Sequence, residues 1–380
     1  MVAERMNNLS GQPMFDILAR ARRRKDMIHF EIGDTYFNTP ENISNAAIKS
    51  IQSGETHYCE SGGLPDFIHE IKQTTLRSRG FMPQSDQVLV TPGANIGIYY
   101  AAITILNPGD EVIIPDPYFP TYKGAFEFVG AKICYCPLWE HRDFEIDPDE
   151  IKSFITEKTR LIVINSPQNP TGAVLSESNI QRIYEIACEY KCYILSDEVY
   201  SRTIYDGKFS SPSAYDECKE RVIVLNGFGK AFAMTGWRLG AIIAPTEIIQ
   251  KMSLFLQLTS SCVPPFIQRA GIAALHNSAA ADKMAARYEH KRNLIAYGLN
   301  KIKGIECQWP KGAFYVFPNI EATGLTDIEF AEKCMQSGVA VMPGTCFGKQ
   351  GAGHIRMCFA VEDSKIVEGL IRIEDMLAGR

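Results

Sequence analysis

The 380-residue sequence is poor in histidine, with only 7, and none of its 11 cysteines forms a C-x-x-C pair. Without such pairs, or a histidine-rich segment near them, a structural metal site is not expected. Cys134 and Cys136 lie two apart, Cys188 and Cys192 four apart, and the odd total makes no disulfide framework. Free, mostly buried thiols in a reducing cytoplasm fit this usage. No run of 18 apolar residues occurs, so no membrane-spanning helix is expected. Residues 1–24 lack the apolar stretch of a secretory leader. A basic excess is missing as well: 39 Lys+Arg stand against 44 Asp+Glu, a net charge of −5. That balance argues against a nucleic-acid or membrane partner. The one short basic run, Arg22-Arg23-Arg24-Lys25, reads as a solvated helix face. The G-x-G-x-x-G dinucleotide fingerprint is absent. Gly344-Thr345-Cys346-Phe347-Gly348-Lys349 falls one residue short of a P-loop, and Gln350 stands where Ser or Thr is needed.

What is present is the balance of a globular chain, 46% hydrophobic and 22% charged. At roughly 150 residues per domain, this length suggests two domains. The middle of the chain alternates strand and helix. Short apolar runs stand at 88–90, 111–114, 161–164, 192–195, 222–225 and 239–243. Helical patterns cover 94–106 and 178–190. Continuous apolar runs separated by helices predict an α/β fold with a mostly parallel sheet covered on both faces. After about residue 276 the texture changes to a long helix over 278–303 and short strands at 314–317, 339–342 and 355–359. This predicts a large domain over 46–276 and a smaller α/β domain over 277–380. The segment 1–45, without strand–helix alternation of its own, is expected to pack on the smaller one.

Parallel sheets place ligands at the carboxyl ends of their strands. Five strand ends here carry polar residues. Thr91-Pro92-Gly93-Ala94-Asn95 opens a helix, and its free backbone N–H groups make an anion site. Asn165-Ser166-Pro167-Gln168-Asn169-Pro170-Thr171-Gly172 follows another strand, and Asp197-Glu198-Val199-Tyr200 the next. Then come Asn226-Gly227-Phe228-Gly229-Lys230 and Gly236-Trp237-Arg238-Leu239-Gly240. A carboxylate at the end of an apolar strand is costly to ionise without a cation. Taken singly, Asp197 and Lys230 read equally well as a structural ion pair.

In order and spacing, this set resembles the class I/II aminotransferase family, which are pyridoxal-phosphate enzymes of fold type I. The resemblance runs from Gly33-Asp34-Thr35-Tyr36 to Gly353-His354-Ile355-Arg356. It implies that fold, pyridoxal 5'-phosphate as cofactor, and transfer of an amino group from an L-amino acid to a 2-oxo acid in ping-pong fashion. It also assigns roles. Lys230 is the Schiff-base lysine and the proton shuttle, so its ordinary pKa of about 10.4 must be lowered. Asp197 keeps the pyridine nitrogen protonated, making the ring an electron sink. Asn169 and Tyr200 donate to the phenolic oxygen. Phe119 stacks on the ring, with Tyr118 the competing choice. Gly93, Ala94, Asn95 and Arg238 hold the phosphate. Tyr58 reaches the phosphate of a neighbouring subunit, which implies a homodimer. Arg356 forks onto the substrate α-carboxylate, as a planar guanidinium suits, unless it points outward from its strand. Gly33 contacts the same group, Asn169 helps bind substrate, and Tyr36 contacts its side chain or is a core tyrosine.

Two alternatives share much of this pattern. A β-eliminating C–S lyase uses the same cofactor residues, but likeness over nearly the whole chain favours transfer. A regulator that borrows the fold as an amino-acid sensor carries a DNA-binding module ahead of it. A resemblance starting near Met6 leaves no place for one. There are also departures. Asn95 stands about where one subgroup of bacterial aspartate aminotransferases has a lysine for the distal carboxylate, which argues against aspartate by that route. Gly227 and Gly229 stand where serines are usual, so the phosphate cup is short of a hydroxyl, a hydrogen bond worth about 1.5–3 kcal/mol to a charged partner. The expected outcome is weaker cofactor retention than in relatives with those serines. A dialysis series read by cofactor absorbance checks this, and full occupancy at nanomolar protein would overturn it.

Overall fold

The computed structural model describes Val2, Met6 and residues 13–379. Its first strand, β1 (Ile28–His29), is followed by a central series: β2 (Val88–Thr91), β3 (Glu111–Asp116), β4 (Lys132–Pro137), β5 (Thr159–Asn165), β6 (Tyr193–Asp197), β7 (Val222–Gly227) and β8 (Gly240–Ile243). Short strands close the chain: β9 (Tyr315–Val316), β10 (Val339–Ala340), β11 (Met342–Pro343) and β12 (Ile355–Cys358). The central seven form one sheet in the order β2-β8-β7-β6-β5-β3-β4. Every neighbour pair is parallel except those made by β8, which runs against β2 and β7. This is the mixed α/β architecture with a mostly parallel sheet that the apolar runs predict.

Strand periodicity divides the core. Side chains point alternately to the two faces. Ile162 and Ile164 of β5 therefore join one hydrophobic cluster, and Leu161 and Val163 join another across the sheet. Val222 and Val224 of β7 separate from Ile223 and Leu225 in the same way. Both faces are buried, which is why these strands read as unbroken apolar runs. A third cluster gathers Tyr288 and Ile295 of the helix Ser278–Leu299 with Phe314, Ile355 and Ile373. Ile28 and Phe30 from the start of the chain belong to it. There β1 pairs in parallel with β10, Ile28 opposite Val339.

Several elements differ from the sequence expectations. The segment before residue 45 holds a helix, Pro13–Ala21, and β1. Arg22–Lys25 are not a helix face: that helix ends at Ala21, and Arg24 turns back to donate to the Met335 carbonyl at 2.7 Å and to Asp26. The apolar run at 339–342 is two strands in different sheets, β10 against β1 and β11 against β12. β4 had no counterpart among the expected strands, because its residues at the sheet edge are mostly part-exposed. All eleven cysteines are free. Among the described residues no helix is long and apolar enough to cross a membrane.

One buried ion pair braces the carboxyl end of β6. Arg79 closes the helix Pro65–Arg79 and donates through Nε to Glu198 at 2.9 Å, with Nη2 on the same oxygen. Ser196 donates to the other oxygen at 2.9 Å. Both charged side chains are buried. Removing one partner strands the other charge in a low-dielectric site, at a cost of about 3–5 kcal/mol. Arg79→Met is therefore expected to lower unfolding stability by about that amount, read from the urea denaturation midpoint.

Candidate active site

The strand register gathers the polar strand ends. Asn165 pairs with Asp197 at the ends of β5 and β6, and Gly227 pairs with Gly240 across β7 and β8. Asn165 joins two segments: its Nδ2 donates to the Asp197 carbonyl at 3.0 Å, and its Oδ1 accepts from the Asn169 N–H at 2.9 Å. That pair of bonds seats Asn169. Around these ends lies a cavity of about 430 Å³, within the range of small-molecule sites. Of the residues predicted for the site, Gly33, Gly93, Ala94, Asn95, Phe119, Asn169, Asp197, Tyr200, Lys230, Arg238 and Arg356 line it.

Asp197 is buried, with Tyr122 donating to it at 2.7 Å and the Val199 N–H at 3.3 Å. Among the described residues it makes no ion pair. Desolvation pushes its pKa up to about 6, against the opposing pull of those two hydrogen bonds. Lys230 sits in the short helix Phe228–Ala231, and its Nζ donates to the Gly33 carbonyl. Burial of the amine lowers its pKa, while Asp34 and Cys358 act the other way and Arg356 and Arg238 add to the lowering. The structural ion pair between Lys230 and Asp197 that each residue alone allowed is not formed.

The helix Ala94–Ile105 starts at Gly93 with no side-chain cap, leaving its first-turn N–H groups free for a ligand. Gly93 has φ 86°, and a Cβ there would lie 2.6 Å from Arg238 Nη2. Glycine lets the guanidinium close over the turn. Arg356 on β12 is 1% exposed and does not point into solvent. Its Nη1 donates to Asn169 Oδ1 at 3.1 Å and its Nη2 to the Glu31 carbonyl, while Nε is buried without a partner. Phe119 faces the cavity, whereas Tyr118 turns its ring to Tyr135, 5.5 Å away between centroids. The Tyr200 hydroxyl shares a 2.7 Å hydrogen bond with Tyr315.

Two predicted residues are not brought to the cavity of this chain. Tyr36 lies beneath the Lys291 ammonium, 4.4 Å from the ring centroid, and against Phe37. Tyr58 is 87% exposed on the surface. Other contributors escaped the sequence reading: Tyr122 on Asp197, Tyr315 on Tyr200, Glu31 beside Arg356, and Met14, Phe15 and Leu18 from the N-terminal helix. Nothing in the spacing signals that Tyr122 meets a carboxylate 75 positions later.

Comparison with known proteins decides the family. The family described as aminotransferase class I and II matches residues 25–373. The chain belongs to the class I and II aminotransferases. Similar proteins include an aspartate aminotransferase of Pyrococcus horikoshii, 38% identical over 100% of this chain and 97% of that protein. An aromatic-amino-acid aminotransferase of Thermococcus litoralis is 37% identical, over 98% and 97%. The solved aspartate aminotransferase from Thermus thermophilus with maleate superposes with a TM-score of 0.95, at 30% identity and 99% coverage of both chains. This aminotransferase is therefore an enzyme of amino-group transfer on fold type I.

Members of the family depend on pyridoxal phosphate, and the residues of the cavity fit that group. An unpaired buried carboxylate suits a protonated ring nitrogen, the uncapped helix start with Arg238 suits a phosphate, and a desolvated amine suits an aldehyde. The Asp197 shift has a measurable consequence without the cofactor. A carboxyl with a raised folded-state pKa binds protons more tightly in the folded state, so stability falls as pH rises between about 4 and 6. The full contribution is about 3 kcal/mol. Cofactor-free Asp197→Asn is expected to lose that part of the pH dependence, as followed by denaturation at pH 4, 5 and 6.

Proposed function

We propose that this aminotransferase binds pyridoxal 5'-phosphate in the cavity, linked to Lys230, and passes an amino group from an α-amino acid to a 2-oxo acid in two half-reactions. The observation that carries the reading is the convergence of three groups. The Lys230 amine, the unpaired Asp197 carboxylate and a buried Arg356 with a free Nε all face one cavity. When bound, pyridoxal phosphate supplies an aldehyde for the amino group and a ring that takes up the electron pair left at Cα.

The chain's own groups divide the remaining work. Asp197 holds a proton on the ring nitrogen. Asn169 and Tyr200 would donate to the phenolic oxygen, Phe119 would cover the ring, and Gly93, Ala94, Asn95 and Arg238 would hold the phosphate. Arg356 grips the substrate α-carboxylate, its direction fixed by the Glu31 carbonyl and Asn169. Gly33 brings its carbonyl to Lys230 and leaves no space for a side chain, since a Cβ would stand 2.0 Å from the Tyr315 hydroxyl. The Lys230 amine, favoured in its neutral form by desolvation, takes the proton that leaves Cα.

The working form we propose is a homodimer in the cytoplasm. Tyr58 is exposed outside its own cavity and free to reach another, and Leu254 and Leu258 on the helix Thr246–Ser260 add exposed apolar surface. The free thiols suit a reducing compartment.

Titration of the purified protein with pyridoxal phosphate tests the reading. A visible absorbance band is expected, with borohydride fixing the cofactor on Lys230, as mapped by peptide mass. Lys230→Ala is expected to lose both the band and the activity. A protein that stays colourless would overturn the proposal. Release of pyruvate and ammonia without a 2-oxo acid acceptor would favour elimination over transfer.

A further inference from the structure

We infer that the cavity selects donors with a bulky apolar side chain, aromatic ones above all, and that Met14, Phe15 and Leu18 determine this specificity. The inference rests on the reading of this cavity as the aminotransferase site, and deepens it by naming the substrate class.

The helix Pro13–Ala21 presents those three side chains to the cavity. They lie at positions i, i+1 and i+4, within one side of the helix. The other side anchors it. Ile17 packs on the cluster of Ala21, Met27, Met335 and Ala340, and Arg20 donates to both oxygens of Glu332 at 2.8 and 2.7 Å. The helix is therefore fixed to the C-terminal part of the chain while its apolar residues overhang the pocket. Phe15 remains 61% exposed there. A large exposed ring at the wall of a cavity gains a partner when an apolar group enters. An alanine methyl is too short to cover it. A benzyl side chain offers both area and a ring edge or face.

Charge points the same way. Among the described residues, the lysines and arginines lining the cavity are Lys230, Arg238 and Arg356. The first serves the reaction, and the other two face the phosphate end and the α-carboxylate. Among the described residues of one chain no fourth lysine or arginine lines this cavity, and Asn95, in the first turn of the helix Ala94–Ile105, is neutral. Glu31 is fully buried on the same wall, its Oε1 paired with His29 Nδ1 at 2.8 Å and its carbonyl on Arg356. The similar proteins do not decide the matter, since aspartate and aromatic aminotransferases match almost equally well.

The test uses the full-length enzyme loaded with pyridoxal phosphate, with phenylalanine, alanine and aspartate as donors. Values of kcat/KM are read from keto-acid formation. Phenylalanine is expected to exceed aspartate by at least about ten-fold. Phe15→Ala, at an exposed position that folding tolerates, is expected to raise KM for phenylalanine about ten-fold and to affect alanine much less. Leu18→Ala is expected to do the same to a smaller extent. A loaded enzyme that prefers aspartate would overturn this inference alone, as would equal losses for phenylalanine and alanine in Phe15→Ala. A protein that takes up no cofactor would overturn the parent reading and this one with it.

Discussion

An acid without a counter-ion, held at the end of a buried strand, is the constraint around which the rest of the molecule is arranged. Asp197 is buried at the wall of the cavity, and the side chains and backbone of the protein give its carboxylate a phenol and a peptide N–H. Among the described residues no cation pairs with it, so its charge is left for a bound group to meet. The neighbouring strand ends are organised to the same purpose. Asn165 holds the Asp197 backbone on one side and the Asn169 loop on the other, while Glu198, the next residue, is clamped by Arg79. Rigid support of this kind lets a costly carboxylate persist.

Positive groups are distributed around the cavity in complementary fashion. Arg238 closes over a glycine turn, Arg356 is suspended between a carbonyl and an amide oxygen, and Lys230 leans on Gly33. None of the three is neutralised by a carboxylate among the described residues. Each keeps hydrogen-bonding capacity for something the chain does not supply. Ordinary surface cations, such as Arg20 with Glu332, are by contrast paired off.

Much of the central sheet was legible because β3, β5, β6 and β7 are buried on both faces and so carry uninterrupted apolar runs. The polar residue closing each run marked the ligand edge, and eleven of the thirteen distinct predicted residues line one cavity. Illegible parts have physical causes. β4 is half exposed at an edge, β1 is two residues long and too short for any periodicity, and the apolar run at 339–342 gave no sign that it divides into β10 and β11 in different sheets. Tyr122 and Tyr315 act through contacts that only the folded chain creates. Tyr36 was legible as a tyrosine near the substrate loop but not as the platform under Lys291. The N-terminal helix, Pro13–Ala21, is nine residues long and too short for a periodic pattern to stand out.

The two-residue ladder between β1 and β10 has a consequence for how the enzyme is born. Glu31 comes from the first tenth of the chain, and Arg356, whose guanidinium donates to its carbonyl, from the last. A ribosome-bound fragment holding the whole central sheet still lacks one wall of the pocket. The wall that Arg356 forms with Glu31 therefore closes only when the last tenth of the chain has been made, after every strand of the central sheet.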